Sequence, residues 1–155
     1  NLTGRPDMNG HKLKVAAEHY LPVDNEFIPT GEVLSVDGTG FDFRQPEPLP
    51  TKQPLNHNFC LSADRQPLRP VAWLSAEVAG LTLELRTTEP GLQLYDGSLL
   101  SSGVKGLNGH VYGPCSGLAL EAQLWPDAPH YPHFPSALLL PDELYFQQTE
   151  LKFRR

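Results

Sequence analysis

The chain has 155 residues, enough for one domain with a sizeable core. Its formal net charge of −6 argues against a nucleic-acid polyanion as partner, because phosphate binding rests on an excess of Lys and Arg. No run approaches the roughly 20 apolar residues of a membrane-spanning helix, and no apolar signal segment opens the chain. Two cysteines, Cys60 and Cys115, do not make a disulfide framework and lie beside no metal-like ligand spacing. Reduced thiols, a cytoplasmic setting and no metal site are expected. The first residue is Asn rather than Met, so an upstream stretch is expected as well.

Asn1-Leu2-Thr3 matches a glycosylation sequon, a pattern short enough to arise often by chance. Thirteen glycines and 16 prolines are spread along the chain and leave little room for a long helix. Between them lie short segments of period two. In His11-Lys12-Leu13-Lys14-Val15, positions 11, 13 and 15 share one face and the lysines take the other. Asp37-Gly38 marks a turn, and the proline-rich Arg44–Asn56 region reads as a long surface connection. His57–Ser62 is the next strand candidate, with Cys60 as a buried thiol, followed by Val71–Ala79 with Trp73 in the core. Leu81–Thr87 alternates cleanly, leucines inward and polar residues outward. Glu89-Pro90-Gly91 and Asn108-Gly109 read as turns. Gly117–Leu124 and Leu144–Phe153 are the last strand candidates, and the closing Lys-Phe-Arg-Arg reads as a solvated tail. Many short strands with this punctuation describe an antiparallel sandwich or barrel, in one domain without internal repeats.

One strand carries an unexpected charge. In Ser116-Gly117-Leu118-Ala119-Leu120-Glu121-Ala122-Gln123-Leu124, the leucines at 118 and 120 point one way. Ala119, Glu121 and Gln123 point the other, toward solvent or into a cleft. His11, on an apolar face, reads either as a hydrogen-bonded core residue or as a catalyst. Together the two side chains would supply a base and an acid with ordinary pKa values of roughly 4.3 and 6.5, but nothing in their spacing shows that they meet. Asp127 could pair with Glu121 as a second carboxylate or shape its Pro-Asp-Ala-Pro loop, and Trp125 could stack on a ligand or pack the loop. His130 and His133 could form a metal pair or belong to a surface loop.

Five blocks, in order, resemble the aldose 1-epimerases, or galactose mutarotases: NGHKLKVAAEHYLPVDNEFIPTGEV, DGTGFDFR, NHNFCL, RTTEPGLQLYDG and SGLALEAQLWPDAPHYPHFPS. The resemblance implies an all-β galactose-mutarotase-like sandwich over residues 1–155. It implies interconversion of α and β anomers of an aldohexose, without metal or organic cofactor. Carried over by position, it implies a catalytic base at Glu121, a catalytic acid at His11 and a sugar-contacting amide at Gln93. Where the family has Asp-His, this chain reads Asn56-His57, so Asn56 would keep a hydrogen-bonding amide but lose the charge. Asn58 or a shifted loop could compensate.

Asn1-Leu2-Thr3-Gly4 resembles the end of the family's Asn-His-x-Tyr-Phe-Asn-Leu-x-Gly motif. The resemblance therefore implies the C-terminal portion of a larger domain, with its own N-terminal half as a partner. The competing expectation is a non-catalytic carbohydrate-binding or interaction module on the same scaffold.

Overall fold

The structure is a computed structural model that describes every residue except Ser102, Val104, Leu107 and Asn108. The expected Asn108-Gly109 turn lies partly outside the described residues. Among the described residues, ten strands form two antiparallel sheets. In chain order they are β1 (His11–Val15), β2 (His19–Tyr20), β3 (Leu34–Ser35), β4 (Glu47–Leu49) and β5 (Asn56–Cys60). They continue with β6 (Arg69–Ala76), β7 (Leu81–Thr87), β8 (Gly91–Tyr95), β9 (Ala119–Gln123) and β10 (Thr149–Arg154). One sheet has the order β10-β7-β6-β1-β4 and the other β3-β2-β5-β8-β9. The expected all-β antiparallel sandwich is what the chain forms. No helix among the described residues is long and apolar enough to cross a membrane.

Period-two patterning explains which faces meet. Leu13 and Val15 of β1, Leu74 of β6, and Leu83 and Leu85 of β7 are buried from the first sheet. Phe59 of β5 and Leu92 and Leu94 of β8 are buried from the second, and all belong to one apolar cluster. Leu120 and Ala122 of β9 pack against its edge. A register shift between Pro70 and Ala72 lets the adjacent Val71 and Ala72 both be buried, which strict alternation would forbid.

Three expectations are corrected. The Arg44–Asn56 region is not a plain excursion, because Glu47–Leu49 pairs with β1 and buries Leu49. Trp73 is only half-buried on the outer face, where Lys14 Nζ lies 5.1 Å from its ring centroid. The terminal Lys152-Phe153-Arg154 is no free tail but half of β10, in register with Thr82–Glu84.

The second sheet has two contrasting faces. Its inner face is apolar. Its outer face aligns Asn58, Gln93 and Glu121 in one cross-strand row, because Asn58 pairs with Gln93 and Gln93 with Glu121. Gly91 starts β8 where nothing larger fits: a Cβ there would lie 2.6 Å from Asn58 Oδ1 and 3.0 Å from the Gln123 carbonyl oxygen.

Candidate active site

A cleft of about 380 Å³ opens over this polar row, within the range of small-molecule sites. Asn56, Asn58, Gln93, Tyr95 and Glu121 form its floor from β5, β8 and β9. Leu21, Val23, Phe27 and Pro29 wall it from the segment after β2, and Leu99 and Pro126 complete the rim. A larger groove of about 1150 Å³ runs along residues 39–53, but it holds none of the expected site residues. Its one arginine, Arg44, is already paired with Asp42, Asp37 and Glu18.

Within the cleft the polar groups are arranged rather than scattered. Gln93 Nε2 donates to Asn56 Oδ1 over 2.8 Å, locking two amides side by side. That contact leaves the Asn56 nitrogen as its free donor. Asn58 is 1% exposed, and neither its amide nitrogen nor its oxygen has a partner among the described residues. A buried amide left so costs free energy that a ligand hydroxyl would recover. Among the described residues Glu121 is the one carboxylate lining the cleft, and it is solvent-exposed there. The alternation along β9 gives the strand two faces: Leu120 and Ala122 pack on the core while Glu121 lines the cleft.

His11 does not join them. It lies on β1 in the other sheet and is fully buried. Its Nδ1 donates to the Met8 carbonyl at 3.1 Å, and its Nε2 accepts from the Leu2 amide at 2.9 Å. Those partners fix the neutral Nδ1–H tautomer, because a second proton on Nε2 would face an N–H donor. A general acid must offer a proton to its substrate, and the one proton of this tautomer is held by the Met8 carbonyl. The geometry instead makes His11 the hydrogen-bonded core residue that its apolar face allowed. Burial pushes its pKa below the usual histidine range, opposed by the Met8 carbonyl.

The sign of the resulting pH effect is fixed. With the folded pKa lowered, the unfolded chain takes up the proton first, so stability falls as pH drops through about 6.5. His57, also lowered by burial, acts in the same direction. Urea midpoints should therefore fall between pH 7.5 and pH 5.5, and the drop should be smaller in His11→Asn. An equal drop in both proteins would remove His11 from the account.

The remaining candidates are structural. Trp125 is buried, donates from Nε1 to the Pro90 carbonyl over 3.0 Å and packs against Phe134. Asp127 takes the left-handed conformation, with φ of 61°, and pairs with His130. His133 contacts the Gly31 carbonyl over 2.8 Å. Among the described residues no cluster of three or more His, Cys, Asp and Glu could hold a metal ion. Cys60 is half-buried rather than fully buried, and burial pushes its thiol up to about 12, away from the reactive thiolate. Tyr95 and Phe27 also line the cleft, and neither stood out in the sequence. Tyr95 could have been found, since it lies two residues beyond Gln93 and so on the same face of β8.

The profile of the family described as Aldose 1-epimerase matches residues 1–152. The chain belongs to the aldose 1-epimerase family. Galactose mutarotases from Mus musculus and Homo sapiens are each 43% identical to it over 99% of this chain, and the match covers 47% of each relative. A crystal structure of an aldose epimerase homologue from C. elegans superposes with a TM-score of 0.90 at 30% identity. It covers 99% of this chain and 48% of that one. The sandwich is thus galactose-mutarotase-like. The chain spans about half the length of these relatives, and that half contains the cleft floor with Glu121.

Proposed function

We propose that the protein is an aldose 1-epimerase acting on an aldohexose such as galactose or glucose. The observation that carries this reading is the row Asn58–Gln93–Glu121, with Asn56 beside it, on the floor of a small-molecule-sized cleft. In this reading Asn56 and Gln93 hold sugar hydroxyls, and Glu121 accepts the proton of the anomeric hydroxyl. As the C1–O5 bond breaks, O5 gains a proton and C1 becomes an aldehyde carbon. Rotation about C1–C2 and reclosure then give the other anomer, with protons returned and no net consumption. Neither metal nor organic cofactor is part of the reading, and the two free cysteines suit a cytoplasmic setting.

The acid that protonates O5 is not His11, for the reasons of tautomer and placement given above. We assign it to the N-terminal half that this reading requires as partner. Two features support such a partner. Leu138, Leu139, Leu140, Leu144 and Phe146 are all more than half exposed, as are Leu151 and Phe153 of β10. In addition, β9, which carries Glu121, is an edge strand open to further pairing. Residues 1–155 are then the C-terminal part of a single domain.

A second reading, a carbohydrate-binding module without catalysis, draws on one observation: among the described residues no histidine lines the cleft. Polarimetry of freshly dissolved α-D-glucose and α-D-galactose separates the two. Acceleration beyond buffer with both halves present, and little with this chain alone, is the expected result. A folded mixture that binds sugar without acceleration would establish the second reading.

A further inference from the structure

We propose that Phe27 is the stacking wall of the cleft, receiving the C–H face of an aldopyranose whose hydroxyl edge meets Asn56, Gln93 and Glu121. The inference rests on the reading of the cleft as an aldose site. It adds the residue that selects which sugar face, and hence which aldose, is held best.

Phe27 is placed against its own preferences. Its φ is 64°, a left-handed conformation in which a bulky side chain crowds its own backbone and which glycine or asparagine adopts more easily. The residue is nevertheless 44% exposed, so burial offsets little of that strain. Strain of this kind persists only where the surroundings over-determine it, and it gathers at ligand sites.

Here the surroundings do so. Asp24 Oδ1 accepts from the amides of Glu26 at 2.8 Å and Ile28 at 3.0 Å. The Asp24 amide donates to the Ile28 carbonyl and the Phe27 amide to the Asp24 carbonyl. Beyond the loop, Tyr131 Oη donates to the Pro29 carbonyl over 3.0 Å. The Tyr131 ring also presses on Gly31, where a Cβ would lie 2.4 Å from Cε1. Phe27 is therefore held at the cleft on a braced loop.

The chemistry of the cleft is complementary to this placement. Its floor is polar and suits hydroxyls, whereas the wall contributed by Val23, Phe27 and Pro29 is apolar. A pyranose has both kinds of surface. Its slightly positive C–H hydrogens are attracted to the negative face of an aromatic ring, as other ring-edge hydrogens are. Galactose, with its axial 4-hydroxyl, gathers C–H groups on one face, whereas glucose shares them between both. A stacking wall should therefore favour galactose.

The test compares Phe27→Leu, Phe27→Gly and Phe27→Tyr with the parent protein. It combines mutarotation rates for both sugars with the N-terminal half present, saturation-transfer NMR for binding, and thermal unfolding. Phe27→Leu and Phe27→Gly should raise KM for galactose about three- to tenfold and for glucose less, with kcat nearly unchanged. Phe27→Tyr should restore the parent KM. Phe27→Gly should melt no lower than the parent, since glycine suits that φ. If KM stays constant in the Leu and Gly variants while only the melting changes, the ring packs against protein and the inference is overturned. If the parent protein itself neither binds nor epimerises an aldohexose, the underlying reading fails and this inference falls with it.

Discussion

With both halves present, replacing Glu121 by Gln is expected to lower the kcat of mutarotation by about 10²–10⁴, the usual contribution of a positioned general base. The side chain is isosteric, keeps its hydrogen-bonding oxygen and loses only the ability to take a proton. The Glu121 side chain makes no hydrogen bond or ion pair within the described residues and faces the cleft rather than the core. The melting temperature should therefore stay within about 2 °C of the parent. Sugar affinity should change little, because Asn56, Gln93 and Asn58 are untouched. The expected pattern is lost turnover with a retained saturation-transfer signal. If polarimetry gives an unchanged kcat, the proton leaves by another route and Glu121 is only a surface residue of the cleft. Loss of turnover together with a large fall in melting temperature would instead mean that the strand needs the carboxylate, contrary to its exposed position.

What could be read beforehand followed from periodicity, and what was missed lay where periodicity has nothing to act on. The segments His11–Val15 and Leu81–Thr87 form strands with those bounds, because each alternates over five or more residues and buries one face. Strands β2 and β3 are two residues each, too short to show any period. The three residues of β4 hide among prolines, and only pairing with β1 makes them a strand. Within the site, alternation correctly placed Glu121 and Gln123 on the face away from Leu120. It could not decide between solvent and cleft, because that depends on the segment after β2 folding over the same sheet. His11 shows the opposite limit. Its position opposite the lysines was legible, but its distance from Glu121 is a property of sheet topology, which assigns β1 and β9 to different layers. Likewise, the left-handed conformation of Phe27 comes from the hydrogen bonds of Asp24, and Phe is a residue type that gives no hint of it.

The largest effect on stability is expected from Arg65→Met. Glu89 is fully buried, and its carboxylate is gripped by the Arg65 guanidinium, with Nε at 2.7 Å from Oε1 and Nη2 at 3.2 Å from Oε2. Removing the arginine leaves a buried carboxylate with no cation, and the cost is about 2–4 kcal/mol, below the fully buried limit because Arg65 is itself a third exposed. Denaturant unfolding should show this as a fall in midpoint at an unchanged slope. Arg65→Met combined with Glu89→Leu should recover much of the loss, since apolar packing replaces both charges at once. If the double variant is no more stable than the single one, the loss comes from Arg65 stacking on the Tyr145 ring, 4.6 Å away, rather than from the orphaned charge. The pair also bears on the cleft. Glu89 precedes Pro90, whose carbonyl accepts from the Leu61 amide and from Trp125 Nε1, and its own carbonyl accepts from Arg69. These bonds fix the entry of β8 between β5 and β9, and so the height at which Gln93 meets Asn56 and Glu121. Arg65→Met should consequently raise KM for the sugar as well as lower the midpoint. Phe27 variants are expected to change the first and leave the second.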